Sequence, residues 1–104
     1  MRAQGNVLMK DEIRILVKEP GERWKEETIP NTLEALQEKV DGYIECLTVA
    51  SNACVICNEE GRITGLPYNC CFMGAEFCGT ILLVGTDEDE FTDCPLNNLE
   101  VLGV

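Results

Sequence analysis

The 104-residue chain contains no histidine and a single serine, Ser51. Without histidine it lacks the commonest general base and the commonest zinc ligand. Ser51 and the cysteines are then left with only carboxylates or lysines to activate them as nucleophiles. The composition therefore points away from an enzyme and supplies no catalytic residue. Basic residues are also scarce, with 8 Lys and Arg against 19 Asp and Glu, a net charge of −11. They are unevenly placed: residues 1–25 hold six basic and four acidic residues, and the rest of the chain holds two basic and fifteen acidic ones. A polymer of phosphates would repel such a chain at long range, which argues against nucleic acid, and anionic membrane surfaces are disfavoured on the same ground. Apolar runs such as Ile81 to Val84 are far short of the ~20 residues that span a bilayer, so no membrane segment is expected. Met1 to Lys10 reads polar and mixed, without the apolar stretch of a secretory signal, and the expected location is the cytoplasm.

What is present in excess is sulfur and carboxylate. Seven cysteines in a chain expected to stay in a reducing compartment read as thiols, and an odd number cannot pair completely within one chain. Cys54 and Cys57 form a C-x-x-C, but they lie in the apolar run Ala53 to Cys57, which reads as a strand. Residues three apart on a strand point to opposite faces and cannot chelate together. No second C-x-x-C completes a four-ligand site, so no metal and no cofactor is expected, and the thiols read as small buried hydrophobes. Cys70 and Cys71, in a stretch expected to be irregular, are the one pair left with a redox reading.

Two further motifs fail on inspection. Gly74 and Gly79 have the spacing of a phosphate-binding loop, yet Thr80 stands where the lysine must be and a strand follows instead of a helix. Asp87, Asp89 and Asp93 suggest a calcium loop, but Phe91 and Thr92 occupy positions that need an oxygen ligand and a glycine. That loop reads as a solvated turn.

The hydrophobic pattern specifies most of the architecture. Ile13, Ile15 and Val17 alternate along Glu12 to Lys18, the period of a half-buried strand, with Arg14 and Lys18 sharing the outer face. Pro20-Gly21 turns the chain into an edge strand, Glu22 to Ile29, anchored by Trp24. Pro30 stops it. Asn31, with Glu34 three residues on, caps a helix of nine or ten residues whose buried stripe is Leu33, Leu36 and Val40 and whose end is Gly42. Strands Tyr43 to Val49 and Ala53 to Asn58 follow, and the turn Glu59-Glu60-Gly61 leads to a short strand Arg62 to Leu66, making a meander. Residues 68–78 show neither period and read as a loop. The apolar run bounded by Gly79 and Gly85 is the expected central strand, and Phe91 anchors a last short one. The expectation is an α+β domain over residues 11–95, a mostly antiparallel sheet of about five strands with one helix packed on a face. Residues 1–10 are expected to be a loose N-terminal segment and residues 96–104 a C-terminal tail.

With reactive chemistry missing, recognition surfaces remain. Asn58 and Glu59 open one turn, and Leu66, Pro67, Tyr68 and Asn69 form a second that presents an amphipathic aromatic beside a stiff proline. These six residues are the candidate binding set.

The blocks Ile13-Arg14-Ile15-Leu16-Val17, Thr32-Leu33-Glu34-Ala35-Leu36-Gln37, Gly42-Tyr43-Ile44-Glu45, Asn58-Glu59-Glu60-Gly61, Gly65-Leu66-Pro67-Tyr68-Asn69, Gly79-Thr80 and Val84-Gly85 share an order and spacing with a known family. Together they resemble the domain of unknown function numbered thirty-eight forty-six, found in bacteria, archaea, phages and mobile elements. The resemblance runs over roughly residues 12–95. It implies no activity; it implies a setting in the cytoplasm of a host or mobile element, in the company of accessory genes. The residues before Asp11 and the stretch Cys70 to Cys78 look peculiar to this chain.

Two functions are consistent with these residues. The preferred one is a non-enzymatic interaction module whose acidic surface takes a basic protein partner, with a homodimer through the edge strand Glu22 to Ile29 as a further expectation. The alternative is a small-molecule or nucleotide binder using the 58–69 loop, with Asn58, Tyr68 and Asn69 as polar contacts.

Overall fold

In the computed structural model, residues 11–97 are described. The expected loose segment 1–10, and the tail beyond residue 97, lie outside them. The elements run β1 (Glu12–Lys18), β2 (Lys25–Pro30), α1 (Leu33–Val40), β3 (Ile44–Ala50), β4 (Ala53–Asn58), β5 (Tyr68–Phe72), β6 (Ala75–Cys78), β7 (Ile81–Asp87) and β8 (Glu90–Thr92). The α+β class stands, and every strand pairing is antiparallel. The main sheet has six strands, in the order β2-β1-β7-β4-β3 with β8 also on β7, one more than expected. β5 and β6 form a separate two-stranded hairpin.

β7 is central because it has no polar face to leave exposed. Ile81, Leu82, Leu83 and Val84 are all fully buried, with Leu82 and Val84 turned to one side and Ile81 and Leu83 to the other. Burial of each such side chain contributes about 1.5–3 kcal/mol, so this strand anchors both cores. On one side lie Ile13, Ile15, Val17, Cys54 and Ile56 under Leu36 and Val40 of α1. On the other lie Leu16, Val55, Cys57 and Cys94 under Trp24 and the β5-β6 hairpin, where the Trp24 and Phe72 rings sit 5.2 Å apart. The molecule is thus helix, sheet and hairpin in three layers.

The third layer corrects several expectations. β1 is not half-buried, since Leu16 is as buried as Ile15. Arg14 and Lys18 flank Leu16 along the strand and are drawn into hydrogen bonds with Leu96 O and Asn69 Oδ1. Residues 68–78 are a hairpin rather than a loop. Its pairing shifts between Tyr68 and Cys70, which breaks the period of two, and its turn is Met73-Gly74 with φ of 52° and 83°. A two-residue turn with both φ positive is the hairpin turn that usually carries Asn-Gly or Asp-Gly. Methionine in its first place conceals it. Conversely, Arg62 to Leu66 is not a strand. Thr64 N donates to Glu60 O at 2.8 Å and Leu66 N to Gly61 O at 2.9 Å, winding the segment into turns, and β4 finds its second partner in β7 instead of completing a meander.

Smaller adjustments occur around the helix. The edge strand begins at Lys25 and includes Pro30, while Trp24 is buried just ahead of it. The helix cap is Thr32, whose hydroxyl accepts from Ala35 N at 3.1 Å. Asn31 instead donates its side-chain amide to Phe91 O. The helix is eight residues long, Leu33 is 53% exposed, and the left-handed residue at its end is Asp41, φ 62°, one position before the expected Gly42. Near the end of the described chain, Arg14 N donates to Asp93 Oδ1 at 2.8 Å and Cys94 N to Arg14 O at 2.7 Å. Residues 93–94 therefore run beside β1 where it parts from β7, passing so close to Gly85 that a Cβ there would lie 2.1 Å from Asp93 O.

Candidate functional site

Two clefts flank the turn that follows β4. The first, about 450 Å³, lies between the end of α1 and residues 58–66 and is lined by Gln37, Asp41, Tyr43, Asn58, Glu60, Thr64 and Leu66. The second, about 360 Å³, opens on the hairpin side of the sheet. Glu45, Glu59, Glu60 and Glu76 stand around it, Leu47, Ile63 and Phe77 supply apolar surface, and Arg62 is its one cation.

The fold separates the six sequence-derived candidates. Asn58 borders both clefts, Leu66 the first and Glu59 the second. Pro67, Tyr68 and Asn69 line neither cleft. The polar atoms of Asn58 are engaged within the chain: its Nδ2 donates to Val40 O and Asp41 O, both at 3.0 Å, and its Oδ1 accepts from Glu60 N at 2.7 Å. It ties the helix end to the turn. Asn69 is a second tether, donating to Lys18 O at 2.8 Å and Gly79 O at 2.7 Å while accepting from Lys18 Nζ at 3.0 Å. Tyr68 is 57% exposed at the start of β5.

Sequence reasoning missed Glu45, Leu47, Ile63, Glu76 and Phe77, which come together from β3, the turn and β6. Glu76 and Phe77 belonged to the stretch read as a loop, so no pattern placed them beside Glu45. Ile63 offers one local signal, an apolar residue within a polar turn, and it is 85% exposed.

Four of the thiols, Cys46, Cys54, Cys57 and Cys70, are shifted away from reactivity. Cys54 and Cys57 lie on opposite faces of β4, as the strand reading requires. Burial pushes Cys54 up to about 12, with nearby Cys46 adding to the effect, and pushes Cys57 up to about 11, helped by Glu45 and Cys46. Burial also raises Cys46, opposed by a hydrogen bond with Cys54, and raises Cys70 against the pull of Lys18. A thiol held above its ordinary value is a poor nucleophile at neutral pH, so the environment of Cys70 weighs against the redox reading of the Cys70-Cys71 pair. Among the described residues no three His, Cys, Asp or Glu side chains gather as a metal would require, and no helix is long and apolar enough to cross a membrane.

No curated protein and no solved structure matches the chain. A family profile does match, over residues 13–102, and it includes the Cys70 to Cys78 stretch that had looked peculiar to this sequence. The strands and helix that frame both clefts thus fall inside the matched region, and the chain belongs to the family described as a domain of unknown function, DUF3846.

Proposed function

We propose that this protein is a non-enzymatic interaction module that holds a basic segment of a partner protein at the cleft on the hairpin side of its sheet. The observation that carries the reading is the make-up of that cleft. Four carboxylates, Glu45, Glu59, Glu60 and Glu76, surround apolar surface from Leu47, Ile63 and Phe77. Lys or Arg side chains have the charge for the rim and alkyl stems for the floor. The net charge of −11 extends the attraction beyond the cleft and speeds encounter with a cationic partner. A cytoplasmic, accessory setting in a prokaryotic host or mobile element belongs to the same proposal and rests on the family resemblance.

The small-ligand alternative has the first cleft as its support, since about 450 Å³ falls in the range of ligand pockets. Its polar hub, Asn58, already spends its amide on the backbone, which favours the partner reading.

The test is affinity capture from lysate of the source cell, with the purified chain as bait at low and high salt. A partner retained at low salt and lost at high salt is expected. The pair Glu59→Lys and Glu60→Lys should abolish its capture, while Glu34→Lys with Glu38→Lys on the helix should leave capture largely intact. Equal loss from both pairs would reduce the interaction to diffuse charge and overturn the cleft reading.

A further inference from the structure

The hydrogen-bond ladder identifies which backbone groups β3 leaves unused. Glu59 N donates to Tyr43 O at 2.9 Å, and the register runs Ile44 opposite Asn58 and Cys46 opposite Ile56. In an antiparallel ladder bonded and non-bonded pairs alternate. Tyr43, Glu45 and Leu47 therefore bond inward to β4, and Ile44, Cys46 and Thr48 aim their N–H and C=O groups away from the sheet. The opposite side of β4 agrees, because Thr86 N donates to Asn52 O and so assigns the even residues of β4 to β7. Among the described residues no strand pairs with the outer edge of β3.

The two edges of the main sheet are managed differently. β2 carries Lys25, Glu26 and Glu27 and ends in Pro30; Lys25 Nζ lies 2.8 Å from Glu19 and 3.8 Å from Glu27, and Lys39 also pairs with Glu27. Charge and proline are the usual defences of an edge against unwanted pairing. This is the edge for which pairing with a second copy was expected, and it is the defended one. β3 reads Ile-Glu-Cys-Leu-Thr-Val-Ala, with a single charge and a register shift only after Thr48.

We propose that the outer edge of β3 from Ile44 to Thr48 accepts an extended basic segment of the partner protein, which adds to the sheet as a further strand. The proposal rests on the reading above, in which the partner is cationic, and gives it a binding mode. Backbone bonds to residues 44, 46 and 48 supply affinity, as in other cases of strand addition. Alternate side chains of the added strand fall on the hairpin side, where Leu47 and Val49 extend the buried core and Glu45 opens onto the acidic cleft. A second copy of this chain is the weaker occupant, because it would bring another −11 and set Glu45 near its own counterpart.

The probe is a fluorescent decapeptide alternating Lys and Val, titrated into the 104-residue protein with anisotropy and amide hydrogen exchange as readouts. Exchange at the Ile44, Cys46 and Thr48 amides is expected to slow at least tenfold on binding, with β2 unchanged. Cys46→Pro removes one outward N–H without touching the β3-β4 bonds and should weaken binding at least tenfold, whereas Cys46→Val should not. A peptide N-methylated at alternate residues tests the same bonds without altering the protein, and it should fail to bind in one of its two phases. If Glu59→Lys with Glu60→Lys abolishes binding while Cys46→Pro and both N-methylated peptides bind normally, strand addition is overturned and the acidic cleft survives. If the proline and methylated probes abolish binding while charge reversal has no effect, strand addition stands and the cleft falls. Slow exchange at these amides in the protein alone, or a dimer in sedimentation that Cys46→Pro dissolves, would show the edge already occupied by this chain and overturn the proposal.

Discussion

Asn69 fixes one layer of the molecule to another through a single side-chain amide. Its two N–H donors reach Lys18 O on β1 and Gly79 O at the foot of the hairpin, so Asn69→Asp removes both bonds and sets a carboxylate against two carbonyls. A loss of about 1–3 kcal/mol in urea-induced unfolding is expected, because partly buried acceptors are left without partners while the Lys18 ammonium offsets only part of that loss. The thiols give a second prediction at this scale. Burial pushes Cys54 up to about 12 and Cys57 up to about 11 in the folded protein, against 9.0 for an unperturbed thiol. Below about pH 9 both states keep these protons and stability is complete. As pH rises from there, the unfolded chain ionises first and stability falls by roughly 1–1.5 kcal/mol per pH unit for each thiol. Thermal melts across that range should show Cys54→Val with a shallower alkaline decline than the parent.

At the scale of elements, the helix ends on a strained residue. Asp41 adopts φ 62°, a conformation that costs an ordinary L-residue about 1–2 kcal/mol, less for aspartate, and glycine almost nothing. Asp41→Gly should therefore raise stability by a few tenths to about 1 kcal/mol in denaturant titration. The same residue shows where reading the sequence works and where it stops. Gly42 marked the end of the helix to within one position, and the unbroken apolar run before Gly85 marked the central strand, because both are local consequences of backbone sterics and burial. The hairpin stayed hidden because its register shift at Tyr68 to Cys70 destroys the alternation and its turn carries methionine. Since Glu76 and Phe77 sit on that hairpin, one wall of the acidic cleft was hidden with it. Asn58 and Glu59 were legible as turn residues, yet nothing in the spacing told that Asn58 would be consumed in holding Val40 and Asp41.

Across the whole molecule, a charge of −11 on 104 residues acts against compaction. Raising sodium chloride from about 0.02 M to about 0.5 M shortens the screening length several-fold, and Tm should rise with it. A Tm that falls with salt would place the dominant surface electrostatics in attractive pairs such as Lys25 with Glu19 instead. The strand order carries a temporal consequence as well. Within the main sheet the β1-β2 and β3-β4 pairs are joined only through β7 among the described residues, so a nascent chain stalled before residue 81 would lack the strand that unites them. The sheet cannot close until residues 81–87 have left the ribosome, and any partner that reaches the chain before then meets open strand edges rather than the finished surface.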